Sequence, residues 1–169
     1  MEKKIHYCWF GGKPLPESAK QCIESWRKFF PDYEIIEWNE KNYDINKCSY
    51  SRDAYECKKW AFVSDFARFN ILKKYGGIYF DTDVEVIREF DDIIANGSFI
   101  GCEETGINPG LGLGISSTEK NSTEQLLLAE IIDFYNKLHF LNPDGSMNQK
   151  TIVEYTTKIF EKHLSLIHI

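Results

Sequence analysis

Two apolar periods, one of a strand and one of a helix, take turns along the 169-residue chain. Ile5 to Phe10 is apolar on both parities and is stopped by Gly11-Gly12, the pattern of a strand buried on both faces of a parallel sheet. From Glu17 to Phe30, Ala19, Cys22, Ile23, Trp26, Phe29 and Phe30 recur at helical spacing between Pro16 and Pro31, which predicts an amphipathic helix. Tyr33 to Trp38 reads as a second strand, closed by the polar run Asn39-Glu40-Lys41-Asn42. Residues 44–57 carry little periodic signal and are expected to form a surface loop. Lys58 to Tyr75 is a long helical stretch ended by Gly76-Gly77. Ile78-Tyr79-Phe80 then predicts a brief strand that runs into Asp81-Thr82-Asp83, with Val84 to Ile87 continuing it after a kink.

Further on, Ser98 to Cys102 and Leu111 to Ile115 read as strands. Ser122 and Gln125 have the spacing of a capping box, ahead of a helix carrying Leu127, Leu128, Ile131, Ile132 and Tyr135. Asn142-Pro143-Asp144-Gly145 is a turn, and Ile152, Tyr155, Ile159 and Phe160 mark a last helix. Strands alternating with helices predict one α/β domain over residues 1–169, with ligands beyond the carboxyl ends of the strands. The apolar ending Leu164 to Ile169 has no cap or polar finish, so the domain is expected to lack its C-terminal portion.

Composition narrows the function. Lys and Arg number 20 against 26 Asp and Glu, a formal net charge of −6, and no basic run supplies the footprint of a nucleic-acid binder. No window has the eighteen or so apolar residues of a membrane span, so the protein is expected to be cytoplasmic, with at most a peripheral hold on a membrane. The five cysteines, Cys8, Cys22, Cys48, Cys57 and Cys102, are odd in number and never spaced Cys-x-x-Cys, which predicts buried free thiols rather than disulfides or a zinc site. His6 and His139 lack a carboxylate or cysteine partner at catalytic spacing and read as structural.

Candidate chemistry gathers at Asp81 and Asp83. At a strand end, alternation puts both carboxylates on one side, and two hard oxygen ligands suit Mg²⁺ or Mn²⁺ completed by water and a diphosphate. An isolated Asp-x-Asp is short and common, and equally describes two aspartates in a polar turn. Asp65 and Arg68 lie three apart on the preceding helix, so they share a face, either as an ion pair or as ligands of a ribose and a phosphate. Asn108-Pro109-Gly110-Leu111-Gly112-Leu113-Gly114 places three glycines on one strand face, which admits either a ligand or another part of the chain at close range.

The order Ser64-Asp65-Phe66-Ala67-Arg68, then Leu72-Lys73-Lys74-Tyr75-Gly76-Gly77-Ile78-Tyr79-Phe80-Asp81-Thr82-Asp83, closely resembles the glycosyltransferases with a DXD-containing sugar-binding region, family thirty-two, which includes capsular polysaccharide transferases and initiating mannosyltransferases. The resemblance is strongest over residues 58–88. It implies a GT-A fold, a Rossmann-like sheet flanked by helices, and a metal-dependent, retaining transfer of a hexose from a nucleotide-diphospho-sugar to a saccharide acceptor. For the acceptor it suggests a lipid-linked saccharide at the inner membrane face. By the same resemblance Asp83 binds the metal directly and Asp81 through water while touching ribose or sugar. Asp65 and Arg68 hold ribose and sugar hydroxyls, Trp9 lies against the nucleobase, and Tyr79 is near the donor. The late His or Asn and Trp segment of the family has no counterpart, and His163 and His168 are poor substitutes. Two competing readings are a non-catalytic nucleotide-sugar-binding domain and a haloacid-dehalogenase-like phosphatase with Asp81 as nucleophile. The second wants Thr or Val where Glu85 stands.

Overall fold

The computed structural model describes residues 1–163, so the ending from Leu164 to Ile169, with His168, lies outside the described residues. The chain runs β1 (Lys4–Cys8), α1 (Glu17–Phe29), β2 (Glu34–Trp38), a 3₁₀ turn (Ile45–Lys47), α2 (Ser49–Glu56), α3 (Trp60–Tyr75), β3 (Gly77–Tyr79), α4 (Asp91–Ala95), β4 (Phe99–Ile100), β5 (Cys102–Glu103), β6 (Gly106–Ile107), β7 (Leu113–Ile115), α5 (Thr123–Lys137) and α6 (Ile152–His163). Five strands form one sheet in the order β2-β1-β3-β7-β4, and β5 and β6 form a separate hairpin. The pairs of β1 with β2 and β3 are parallel, whereas β7 runs antiparallel to β3 and β4. The result is the expected α/β fold, with a mixed rather than a parallel sheet.

The sheet divides the core in two. On one face α1 lays Ile23 and Trp26 against Ile5, Tyr7, Ile78 and Phe80. The opposite face is covered by α3, on whose outer side α2 and α5 pack. Between those layers α3 is buried almost all round, with Val63, Phe66, Ala67, Phe69, Ile71 and Leu72 inside, as befits a helix enclosed by protein. Half of the expected capping box forms: Ser122 Oγ accepts from Gln125 N at 3.3 Å, but Ser122 N donates to Glu119 O and the Gln125 side chain turns inward to Lys73 O.

Residues 44–57 depart from the expected loop. They form the 3₁₀ turn and α2, because Tyr50, Ser51 and Ala54 are buried and Tyr50 packs edge-on to Tyr135 and Phe140 at 5.2 and 5.6 Å. Residues 84–87 are not a strand either, since hydrogen bonds to α1 take them out of the sheet: Val84 O accepts from Trp26 Nε1 at 2.7 Å and Val86 N donates to Ser25 Oγ at 2.9 Å. The cysteines are all free, but only Cys8 and Cys48 are buried, and Cys102 is exposed on its hairpin.

His6 ties three elements together. Its Nδ1 accepts from Trp38 Nε1 and its Nε2 donates to Gly76 O, both at 3.1 Å, so the ring is a fixed neutral tautomer at zero exposure. Burial pushes its pKa down from 6.5 to about 4. His139, in contrast, sits exposed beyond α5, and its ring has no hydrogen bond or ion pair among the described residues to give it the structural role expected of it. Above pH 6.5 neither the folded nor the unfolded chain protonates His6, and its contribution to stability is complete. Between pH 6.5 and about 4 only the unfolded chain takes up the proton. Stability therefore falls with pH across that window by an amount approaching roughly 3 kcal/mol. Urea unfolding at a series of pH values, with His6→Asn as the reference lacking this component, measures it.

Candidate active site

Arg68 organises the site. Only 3% of its side chain is exposed. Its Nη2 donates to Asp65 Oδ1 at 2.8 Å, its Nη1 to Asp81 Oδ2 at 3.0 Å and its Nε to Ser64 O at 3.1 Å. The guanidinium lies 4.7 Å from the centre of the Tyr79 ring, and Tyr79 O–H donates to Asp81 Oδ1 at 2.9 Å. Burial opposes the charge on Arg68, but Asp81, Tyr79 and Asp65 together outweigh it and raise its pKa. Burial pushes the Asp65 carboxyl up to about 7, with the Arg68 charge pulling it down and the Asp81 charge adding to the rise. Tyr79 stays protonated because burial raises its pKa.

The aspartates sit in a turn rather than at alternating strand positions. β3 ends at Tyr79, and Val84 N closes the turn on Asp81 O at 3.1 Å. Asp81 is anchored by Arg68 and Tyr79, while Asp83 is exposed and its carboxylate has no hydrogen bond or ion pair among the described residues. Both line a cleft of about 410 Å³ with Trp9, Lys13, Trp60, Asp65 and Arg68. Trp9 is held by its Nε1 donating to Lys13 O at 2.6 Å. Gly11 (φ 94°) lets the Trp60 ring close on the backbone, since a β-carbon there would stand 2.6 Å from that ring. The cleft therefore unites five of the six residues singled out in the sequence. Tyr79 is the exception, because it lies wholly buried on β3 and does not line the cleft. It reaches the site only through Asp81 and Arg68, and so positions rather than binds.

The family model described as "Glycosyltransferase sugar-binding region containing DXD motif" matches residues 16–100, half of the chain. The chain belongs to that family. Among curated relatives, "Subversion of eukaryotic traffic protein A" of Legionella pneumophila is 31% identical over 121 residues, covering 56% of this chain and 19% of its own length. "Mannosyl phosphorylinositol ceramide synthase SUR1" of Saccharomyces cerevisiae is 31% identical over 101 residues, covering 57% of this chain and 26% of its own. "Inositol phosphoceramide mannosyltransferase 3" of Schizosaccharomyces pombe is 31% identical over 104 residues, with 54% and 27% covered. The chain thus spans about a fifth to a quarter of these relatives. The solved "PaToxG Glycosyltransferase" superposes with a TM-score of 0.64 at 17% identity, over 97% of this chain and 69% of its own, a likeness of fold.

Within the family fold, three further residues bear on the site. Trp60 and Lys13 line the cleft but carried no spacing signal. Gly110 stood in a glycine-rich run whose purpose the sequence left open. Its O accepts from Asp81 N at 2.9 Å, and a β-carbon on it would fall inside the Asp81 carboxylate and 2.9 Å from Arg68 Nη1. Gly112 and Gly114 are crowded by Phe80 and Phe99. All three glycines therefore admit this chain's own side chains. Among the described residues no three His, Cys, Asp or Glu side chains gather as a metal cluster, and His163 only ends α6.

Arg68→Ala strands Asp65 in the interior without its cation, and urea unfolding is expected to show a loss of about 3–5 kcal/mol. Gly110→Ala must displace Asp81 from Arg68. A folded variant with a destabilisation of about 1–3 kcal/mol is expected, read by urea unfolding.

Proposed function

We propose that this chain forms the donor-binding core of a metal-dependent, retaining hexosyltransferase that uses a nucleotide-diphospho-sugar, and that its acceptor is a saccharide in capsular or other cell-surface polysaccharide synthesis at the cytoplasmic face of a membrane. The observation that carries this reading is the gathering of Trp9, Asp65, Arg68, Asp81 and Asp83 about one cleft. Family membership supports it, as do two relatives whose names specify mannosyl transfer. No helix among the described residues is long and apolar enough to cross a membrane.

Each residue has a role that follows from its surroundings. Trp9 and Trp60 offer flat faces to a nucleobase, and one stacked base is typically worth about 1–3 kcal/mol. Asp65 presents its carboxylate to ribose or sugar hydroxyls. The Arg68 guanidinium is engaged by the protein at all three nitrogens, so its main service is to hold Asp65 and Asp81 in place. Lys13, exposed at the cleft's lip with no side-chain partner among the described residues, is the cation free to face a diphosphate.

The free carboxylate of Asp83 beside an anchored Asp81 fits Mg²⁺ or Mn²⁺, hard ions that take one or two protein carboxylates and fill their remaining positions with water and phosphate oxygens. Asp83 would hold the ion directly, with Asp81 behind it. Bound there, it would supply Lewis-acid stabilisation of the charge that develops on the leaving diphosphate. In the transfer, the bond from C1 to the diphosphate oxygen breaks as a bond from the acceptor oxygen to C1 forms. The acceptor's proton passes to the departing phosphate oxygen, so the protein need not furnish a base.

Calorimetric titration with UDP and with GDP, in Mn²⁺ and then in EDTA, tests the donor site. One nucleotide is expected to bind in a metal-dependent manner, and Asp83→Ala to weaken that binding at least about tenfold. Binding that is indifferent both to EDTA and to Asp83→Ala would remove the metal from this reading. Nucleotide-sugar binding without transfer or donor hydrolysis would leave a binding domain in place of an enzyme.

A further inference from the structure

Behind the nucleotide cleft lies a larger one, of about 1140 Å³, between the β5–β6 hairpin, α3 and α6. The two cavities share only Ala61, Asp65 and Asp81. A donor whose base lies toward Trp9 and Trp60, with its diphosphate at Asp83, brings its sugar to that shared rim. That arrangement leaves the larger cleft as an approach to C1 for a second substrate.

The larger cleft has a definite chemical character. Asp65 and Asp81 are already paired with Arg68, so the charges the cleft presents are Glu103, Glu154 and Glu161 against Lys150 and Lys158, a small acidic excess that disfavours a phosphorylated, sulfated or otherwise anionic ligand. Phe134 and Tyr155 give it aromatic faces, and Thr105, Asn108 and Glu103 give it hydrogen-bonding groups on the hairpin side. Apolar faces set among donors and acceptors are what a neutral pyranose needs for its C–H face and its hydroxyls.

Glu103 is the group best placed to orient such a ligand. It is exposed, yet both of its oxygens are held: Oε1 accepts from Thr105 O–H at 2.7 Å and Oε2 from Asn108 Nδ2 at 3.1 Å. Asn108 Oδ1 in turn accepts from Gly110 N at 2.9 Å, and Gly110 O accepts from Asp81 N. A continuous series of hydrogen bonds thus fixes the Glu103 carboxylate relative to the aspartate turn. Each of its oxygens keeps a lone pair for an incoming hydroxyl.

Building on the transferase reading above, we infer that this second cleft is the acceptor subsite, that it takes an uncharged pyranoside, and that Glu103 orients the acceptor by accepting hydrogen bonds from its hydroxyls. The test is an amide-resolved NMR titration of the chain, with diamagnetic Mg²⁺ and UDP or GDP present, using methyl α-glucopyranoside, methyl α-mannopyranoside, methyl β-galactopyranoside and, as an anionic comparison, glucose 6-phosphate. At least one neutral glycoside is expected to shift the amides of residues 102–108 and of α6, and Glu103→Gln to raise its dissociation constant about tenfold. The inference is overturned if none of the neutral glycosides shifts those amides, if glucose 6-phosphate binds there more tightly, or if Glu103→Gln changes the constant less than twofold. Nucleotide binding is read in the same samples, so its absence would count against the donor site and not against this assignment.

Discussion

A buried guanidinium that must find partners for its charge is the constraint around which this molecule is arranged. Arg68 sits on the helix packed most deeply in the protein, where an unpaired charge would cost several kcal/mol. Asp65, one helical turn earlier, meets one side of the fork, and Asp81, arriving from β3, meets another. The ion pair thereby couples a helix to the end of a strand. With Tyr79 fixing the second oxygen of Asp81, the carboxylate has little freedom left.

Rigidity on one side of the turn has a counterpart on the other. The chain leaving Asp83 is caught by Trp26 and Ser25 of α1, while Gly110 supplies the backbone hydrogen bond to Asp81 from β7's approach. Three separate elements therefore set the aspartate turn, and it stands where the central strands end. Preorganisation of this kind matters for any binding site, because groups already in place need not be ordered upon binding.

Legibility in the sequence followed the strength of local signals. β1, α1 and α3 were readable because long apolar runs or a clear helical period leave one interpretation, and Gly76-Gly77 marks the helix end. α2 was not: its buried positions Tyr50, Ser51 and Ala54 include a serine, and only distant Tyr135 and Phe140 make Tyr50 a core residue. The hairpin of β5 and β6 has two residues per strand, too few for any period to register. Asp65, Arg68, Asp81 and Asp83 stood out by spacing, and the structure brings them to one cleft. Their division of labour was hidden, because it depends on contacts that sequence distance does not reveal. The same holds for Tyr79, an aromatic next to the motif whose burial turns it from a ligand group into a support, and for Gly110, whose need for a bare α-carbon comes from a side chain 29 positions away.

The two aspartates of the motif make the point most sharply, since they differ by one intervening residue and yet occupy opposite electrostatic situations. Asp81 is committed: a cation and a hydroxyl already claim its two oxygens, which lowers its appetite for another positive charge and makes it a poor nucleophile. This is also the physical objection to a phosphatase that would attack through it. Asp83 is exposed, uncommitted and held on a turn that cannot drift. An ion or a positively charged group entering the cleft therefore meets one carboxylate free to bind it and a second whose charge is partly spent. That asymmetry gives the two carboxylates different tasks, one to meet a cation and one to hold the turn in place.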